Sequence, residues 1–332
     1  MKKLLCLLLL FAPLAQAQTI AAFTEGMEKK PGYLPLYWDA KKGKLFLEID
    51  KLDTEILHYV ALSAGVGSND IGLDRGRMGP GKIVKFQRSG PKILLVEPNY
   101  GYRATSTNPM ERQAVEQSFA QSVHWGFDVV AETGPAVLVD ATPFFLRDAF
   151  DAAAWMARTK QGTFKPDASR SAFYLPLTKN FPENTEVEVT LTLTGDQPGA
   201  FVREVAPTPG AVTVREHFSF VKLPEPGYEP RAFDPRAGIN PIDYFDYATP
   251  FSQPITQRFI RRHRLQKKDP NAAVSEAVKP IVYYMDPGAP EPIRSALMEG
   301  TAWWNQAFEA AGFKNAFQVR LLPDTADPID VR

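Results

Sequence analysis

Glu186-Val187-Glu188-Val189-Thr190-Leu191-Thr192-Leu193-Thr194 alternates polar and apolar residues without a break. Successive side chains on a strand point to opposite faces, so Val187, Val189, Leu191 and Leu193 share one face and Glu186, Glu188, Thr190 and Thr192 the other. The pattern predicts a long strand with one face buried and one wet. Ala211–Lys222 is its expected partner.

Outward from this strand the same signature recurs towards the N-terminus. Lys44–Asp50 and Ile56–Ala64 read as strands. Ile83–Arg88 and Lys92–Glu97 flank Ser89-Gly90-Pro91, and Phe127–Glu132 and Ala136–Ala141 flank Gly134-Pro135, so each pair predicts a hairpin. Two helices interrupt the strands. One starts at Asn108 as cap with Pro109 in the first turn and carries Val115, Phe119 and Val123 at helical spacing; the other covers Leu146–Arg158. Residues 18–223 thus read as a β-rich region.

Prolines at 224, 226, 230, 235, 241, 250 and 254 then recur too often for a regular element to persist. Residues 224–278 read as a proline-rich, basic linker, with a short helix over Thr256–Lys268. The cations at Arg258, Arg261, Arg262, Arg264, Lys267 and Lys268 form its solvated face. Residues 279–332 differ in kind. Pro280–Asp286 is a buried type of strand, and Pro290 and Pro292 suit the first turn of a helix with Ile293, Leu297, Trp304, Phe308 and Ala311 on one side. Gly312 terminates it, and Phe317–Leu322 is a second strand. One strand-helix-strand unit cannot close a core alone, and Asp330-Val331-Arg332 has no terminating feature, so this domain is expected to be truncated. The fold class is α+β.

Lys2 and Lys3, the apolar run Leu4–Leu14 and Ala15-Gln16-Ala17 predict a signal peptide over 1–17, cleaved after Ala17. The protein is therefore expected to be exported, to the periplasm or beyond the cell. The apolar run falls short of the roughly 20 residues a membrane-spanning helix needs, and no later stretch approaches that length, so no transmembrane segment is expected. Cys6, the only cysteine, lies too early for a lipid anchor and leaves with the signal. The 38 Lys and Arg balance 38 Asp and Glu, which removes the long-range field that nucleic-acid binders use.

The motif candidates fail on chemistry. Gly76-Arg77-Met78-Gly79-Pro80-Gly81-Lys82 has phosphate-loop spacing, but Ile83 stands where magnesium needs a hydroxyl, and a strand follows instead of a helix. Gly65-Val66-Gly67 lacks the third glycine of a dinucleotide loop, Asp70 standing there. Ser219 and Lys222 lie three apart on a strand and face opposite sides. His58 and His217 read as strand residues, His124 as a helix end and His263 as one of a solvated basic run; none has a second histidine at ligand spacing. No catalytic, cofactor-binding or metal residue is assigned.

Pro280-Ile-Val-Tyr-Tyr-Met-Asp-Pro-Gly288 and Trp303-Trp-Asn-Gln-Ala-Phe-Glu-Ala-Ala-Gly-Phe313 resemble the opening strand and first helix of metzincin zinc endopeptidases. Together with Tyr228-Glu-Pro-Arg-Ala-Phe-Asp-Pro-Arg-Ala-Gly238 and Arg258-Phe-Ile-Arg-Arg-His-Arg-Leu265, they look like a family of large bacterial secreted zinc-dependent metalloproteases with β-rich domains of unknown function ahead of the protease domain. The resemblance implies Zn2+ in the complete enzyme, held by His-Glu-x-x-His-x-x-Gly-x-x-His on a later helix, and a protein or peptide substrate. No position here matches that motif, so no ligand is carried over, and this chain alone is expected to bind no zinc and to be inactive. The competing expectation is a non-catalytic periplasmic or surface β-rich binding protein, using aromatics such as Tyr100, Tyr102 and Trp125.

Overall fold

The computed structural model describes residues 18–323; the expected signal peptide and the Asp330–Arg332 end lie outside the described residues. The chain divides into two compact units, one of residues up to Asn99 with Phe119–Pro224, the other of Tyr100–Ser118 with the residues from Glu225 on.

The first unit is a thirteen-stranded antiparallel sheet. Its strands are β1 (Glu28–Lys30), β2 (Leu36–Asp39), β3 (Lys44–Ile49), β4 (Ile56–Ala64), β5 (Lys82–Ser89), β6 (Lys92–Glu97), β7 (Ser122–Thr133), β8 (Ala136–Asp140), β9 (Thr163–Pro166), β10 (Asn184–Asp196) and β11 (Ala211–Lys222). They lie in the order β1-β2-β3-β8-β7-β6-β5-β4-β11-β10-β9, and Ala172–Phe173 and Lys179–Asn180 also pair with β10. The expected hairpins form as read: Ser89 faces Lys92 and Thr133 faces Ala136. Gly90 and Gly134 both turn with φ +59°, a region that only glycine enters without strain.

The sheet curls until its ends meet. Tyr33 N donates to Phe181 O at 2.8 Å, and Asn180 Nδ2 donates to Lys30 O at 2.9 Å and Leu34 O at 2.7 Å. Thr185 Oγ1 donates to Asn180 Oδ1 and accepts from Leu34 N. Inside lie Phe86, Phe127, Phe144, Phe145, Phe218 and Phe220, all with essentially no exposed surface. Phe144 and Phe145 belong to a one-turn helix, Thr142–Phe145, that plugs the interior.

Three local expectations are corrected here. The Leu146–Arg158 helix begins only at Ala152, because Asp148 accepts from Ala152 N and Ala153 N and Asp151 takes φ +67°. His124 sits within β7, not at a helix end: the preceding helix, Pro109–Ser118, stops before Phe119, and Val123 pairs with Val96 on β6. The polar face of β10 is not wet: Glu186 is 2% exposed and Glu188 0%.

In the second unit, β12 (Pro241–Asp246) pairs antiparallel with β13 (Thr256–Ile260) and parallel with Tyr102–Arg103. The proline-rich stretch therefore does hold a regular element. Pro241 stands at the first position of its strand, where a missing donor is tolerated. Thr256–Lys268 starts as a strand instead of a helix, its β-forming Thr256, Phe259 and Ile260 paired with β12. Further on, β14 (Ile281–Met285) and β15 (Phe317–Leu321) pair in parallel, with helices Ile293–Ala302 and Trp304–Ala310 between them. Gly312 ends the second helix at φ +86°, the terminator that the sequence predicts. Among the described residues no helix is long and apolar enough to cross a membrane.

Candidate functional site

Alternation along β4 turns Ile56, His58, Val60 and Leu62 inward. His58 lies near the barrel mouth, where a cleft of about 440 Å3 opens between β4, the Gly76–Lys82 loop, β7 and the Arg147–Arg158 segment. Its Nδ1 donates to Ser219 O at 3.0 Å, and its ring stacks on Phe220 at 4.4 Å. Burial, reinforced by the charges of Arg147, His124 and Lys82, holds its pKa down at about 4. The imidazole is therefore neutral at physiological pH.

Arg147 follows the plug helix. Its Nε donates to Phe144 O at 3.1 Å, and its guanidinium lies 4.8 Å from the centre of the Phe144 ring and 5.5 Å from that of Trp125. Burial lowers its pKa, but a guanidinium starts so high that it stays charged. Across the cleft, Glu97 meets His124 Nε2 at 2.6 Å and Lys82 Nζ at 3.6 Å. Trp155 donates its indole N–H to Ile71 O and carries Arg77 at 4.0 Å and Arg158 at 5.0 Å from its ring. Arg158 also pairs with Asp151 at 3.3 Å.

A carboxyl pair supports the wall from inside. Glu216 on β11 is fully buried, and its Oε2 accepts from Ala149 N at 2.9 Å and Phe150 N at 3.3 Å. Burial and the neighbouring Asp148 raise its pKa well above the usual carboxylate range. Glu216 thus holds a proton more tightly in the fold than in the unfolded chain, so its contribution to stability is full below the unfolded-state value and falls as pH rises through the raised one. Glu216→Gln keeps the shape without the titration. Urea unfolding of both proteins from about pH 5 to 8 is expected to show the variant gaining on the parent by up to about 1.4 kcal/mol per pH unit. Parallel stability curves would refute the raised Glu216 pKa.

A second polar cluster lies on the outer face of β10 and β11. Cross-strand register sets Glu188 opposite His217 and Glu186 opposite Ser219. His217 donates from Nε2 to Glu186 at 2.7 Å and from Nδ1 to Glu188 at 3.1 Å, and Ser219 Oγ donates to Glu186 at 2.6 Å. Burial pulls the His217 pKa down, but the two carboxylates outweigh it and push it up to about 9. Zinc needs a neutral imidazole nitrogen with a free lone pair, and both of these are engaged as donors. Among the described residues no three His, Cys, Asp or Glu side chains group as a metal site.

Reading each histidine singly misses both clusters. The His217 cluster had a signal: two glutamates on one face of an alternating strand, with a histidine in the partner strand. The cleft had none, because its cations come from separated segments. Of the expected aromatics, Trp125 packs against the core and Tyr102 stacks on Phe245 at 5.5 Å, while Tyr100 is exposed.

The sequence profile of a domain of unknown function (DUF5117) matches residues 76–268. No curated protein and no solved structure matches the chain. The profile covers more than half of the 332 residues, including Arg77, Lys82, Arg147 and the Glu186–His217 cluster, and the chain belongs to the DUF5117 family.

Proposed function

We propose that this chain is the N-terminal portion of an exported zinc-dependent metalloendopeptidase, in which the β-barrel precedes the protease domain and the segment from 279 begins it. One observation supports this above others: the helices between β14 and β15 leave Ile293, Leu297, Trp303 and Trp304 about half exposed or more. Two tryptophans on an open helix face are what a strand-helix-strand unit presents when further strands and helices are needed to cover it. The tail motifs resemble the start of a metzincin domain, and the family match ends at 268, before them. Zinc in the complete enzyme would activate water for peptide hydrolysis. The described residues hold no ligand set that fits it, so no catalytic step is assigned to them. A second reading, a β-rich binding protein acting alone, takes its support from the cleft at the barrel mouth.

The native protein, recovered from its host's secreted or periplasmic fraction, separates the two. Intact mass is expected to start at Gln18 and extend past Arg332, with bound zinc and a peptidase activity that a chelator abolishes. A native protein that ends at Arg332 and carries no zinc overturns the protease reading in favour of the binding protein.

A further inference from the structure

The cleft has more positive charge at its surface than its own carboxylates meet. Arg77, Lys82, Arg147 and Arg158 line it with a single acidic residue, Asp151, which Arg158 engages. Behind the wall, Glu97 is shared between His124 and Lys82, and Asp148 and Glu216 act on Arg147 only through space, without an ion pair. Arg147 stands out: among the described residues its guanidinium has no ion-pair partner, and its only hydrogen bond is from Nε to Phe144 O. A half-buried guanidinium lying over two aromatic rings loses little freedom on gripping an oxyanion, and its two Nη groups can bind bidentately.

His58, Tyr59, His124 and Trp155 also line the cleft, and part of its wall is apolar. Val60, Met78 and Phe150 complete the wall, and Met78 is largely exposed. A volume of about 440 Å3 lies within the range of small-molecule pockets, which recur in the mouths of β-barrels. The interior below is already filled by Phe144, Phe218 and Phe220, so a ligand occupies the mouth and goes no deeper.

We infer that the barrel mouth binds a small organic oxyanion, a carboxylate or phosphate ester attached to a flat apolar group, with Arg147 gripping the anion and Phe150 and Met78 packing the apolar part. Lys82 is the second contact, and Arg77 and Arg158 supply the attracting field at the rim. This inference does not depend on the protease reading.

Phenyl phosphate, benzoate and inorganic phosphate are the probes, titrated into the mature chain with calorimetry and tryptophan fluorescence, to which Trp125 and Trp155 report. Saturable binding of phenyl phosphate or benzoate is expected at about 1 mM or tighter, weakening as salt is raised. The stronger of the two identifies phosphate or carboxylate as the source. Arg147→Met is expected to weaken binding about tenfold or more and Lys82→Gln by severalfold. Lys82 is partly exposed and outside the core, so its variant decides the matter if Arg147→Met fails to fold. No saturable binding of either aromatic probe overturns the inference. So do unchanged affinities in a folded Arg147→Met variant or in Lys82→Gln, or inorganic phosphate binding as tightly as both aromatic probes.

Discussion

Replacing His217 with alanine is expected to lower the unfolding free energy by about 3 to 5 kcal/mol, because it leaves two carboxylates buried without their cation. Glu186 and Glu188 sit on the covered face of β10, and His217 donates to both. Arg215, 3.9 Å from Glu188, is a distant substitute. A rise in pKa from 6.5 to about 9 is worth roughly 3 kcal/mol between the two protonation states. The native state holds this proton more tightly than the unfolded chain, so the contribution is complete below about pH 6.5 and is lost as pH rises through 9. Urea unfolding followed by circular dichroism measures both effects. In a Glu186→Gln, Glu188→Gln background the same histidine replacement is expected to cost under about 1.5 kcal/mol, since no buried charge is then stranded. A cost below about 1 kcal/mol in the parent would show that the carboxylates do not depend on His217.

Phe144→Ala is expected to cost about 3 to 5 kcal/mol by a different route, the opening of a cavity. The Phe144 ring has no exposed surface and lies 5.0 to 6.2 Å, centre to centre, from Phe145, Phe127, Phe218, Trp125, His58 and Phe220. Walls made by strands paired on both sides cannot collapse inward to fill the space. Arg147 loses a ring beneath its guanidinium as well, so ligand binding at the mouth should weaken with stability. The urea midpoint is expected to fall with little change in slope. A midpoint close to that of the parent would mean that the barrel interior is not packed around this plug.

What was legible in the sequence was what neighbouring residues decide. The turns at Ser89-Gly90-Pro91 and Gly134-Pro135 needed glycine at a positive φ, and strands β4, β6 and β11 follow from apolar, β-branched and aromatic runs broken by turn residues. Local rules failed where a distant partner outweighed them. Thr256–Lys268 reads as a short basic helix, yet β12 takes its first five residues as a strand. Alternation along β10 revealed two faces but not that both are covered, since the partners of Glu186 and Glu188 lie about thirty residues away on β11. The cleft draws Lys82 from a strand, Arg147 from the exit of a one-turn helix and Arg158 from the end of another, so no spacing along the chain marks it.

The way the first unit's ends meet has a consequence for its girth. In a barrel laddered all the way round, strand number and shear set the diameter together, and changing one strand disturbs every register. Here the last gap is spanned by Asn180, Thr185 and the backbone of residues 33 and 181 instead of a full ladder. Gly32 lets the two sides approach, as a Cβ there would run into the Asn180 side chain. Circumference is thus governed by two loops and one amide. Lengthening either loop would widen the barrel at this seam while leaving the paired strands in register, which makes its girth adjustable at a single line on its surface.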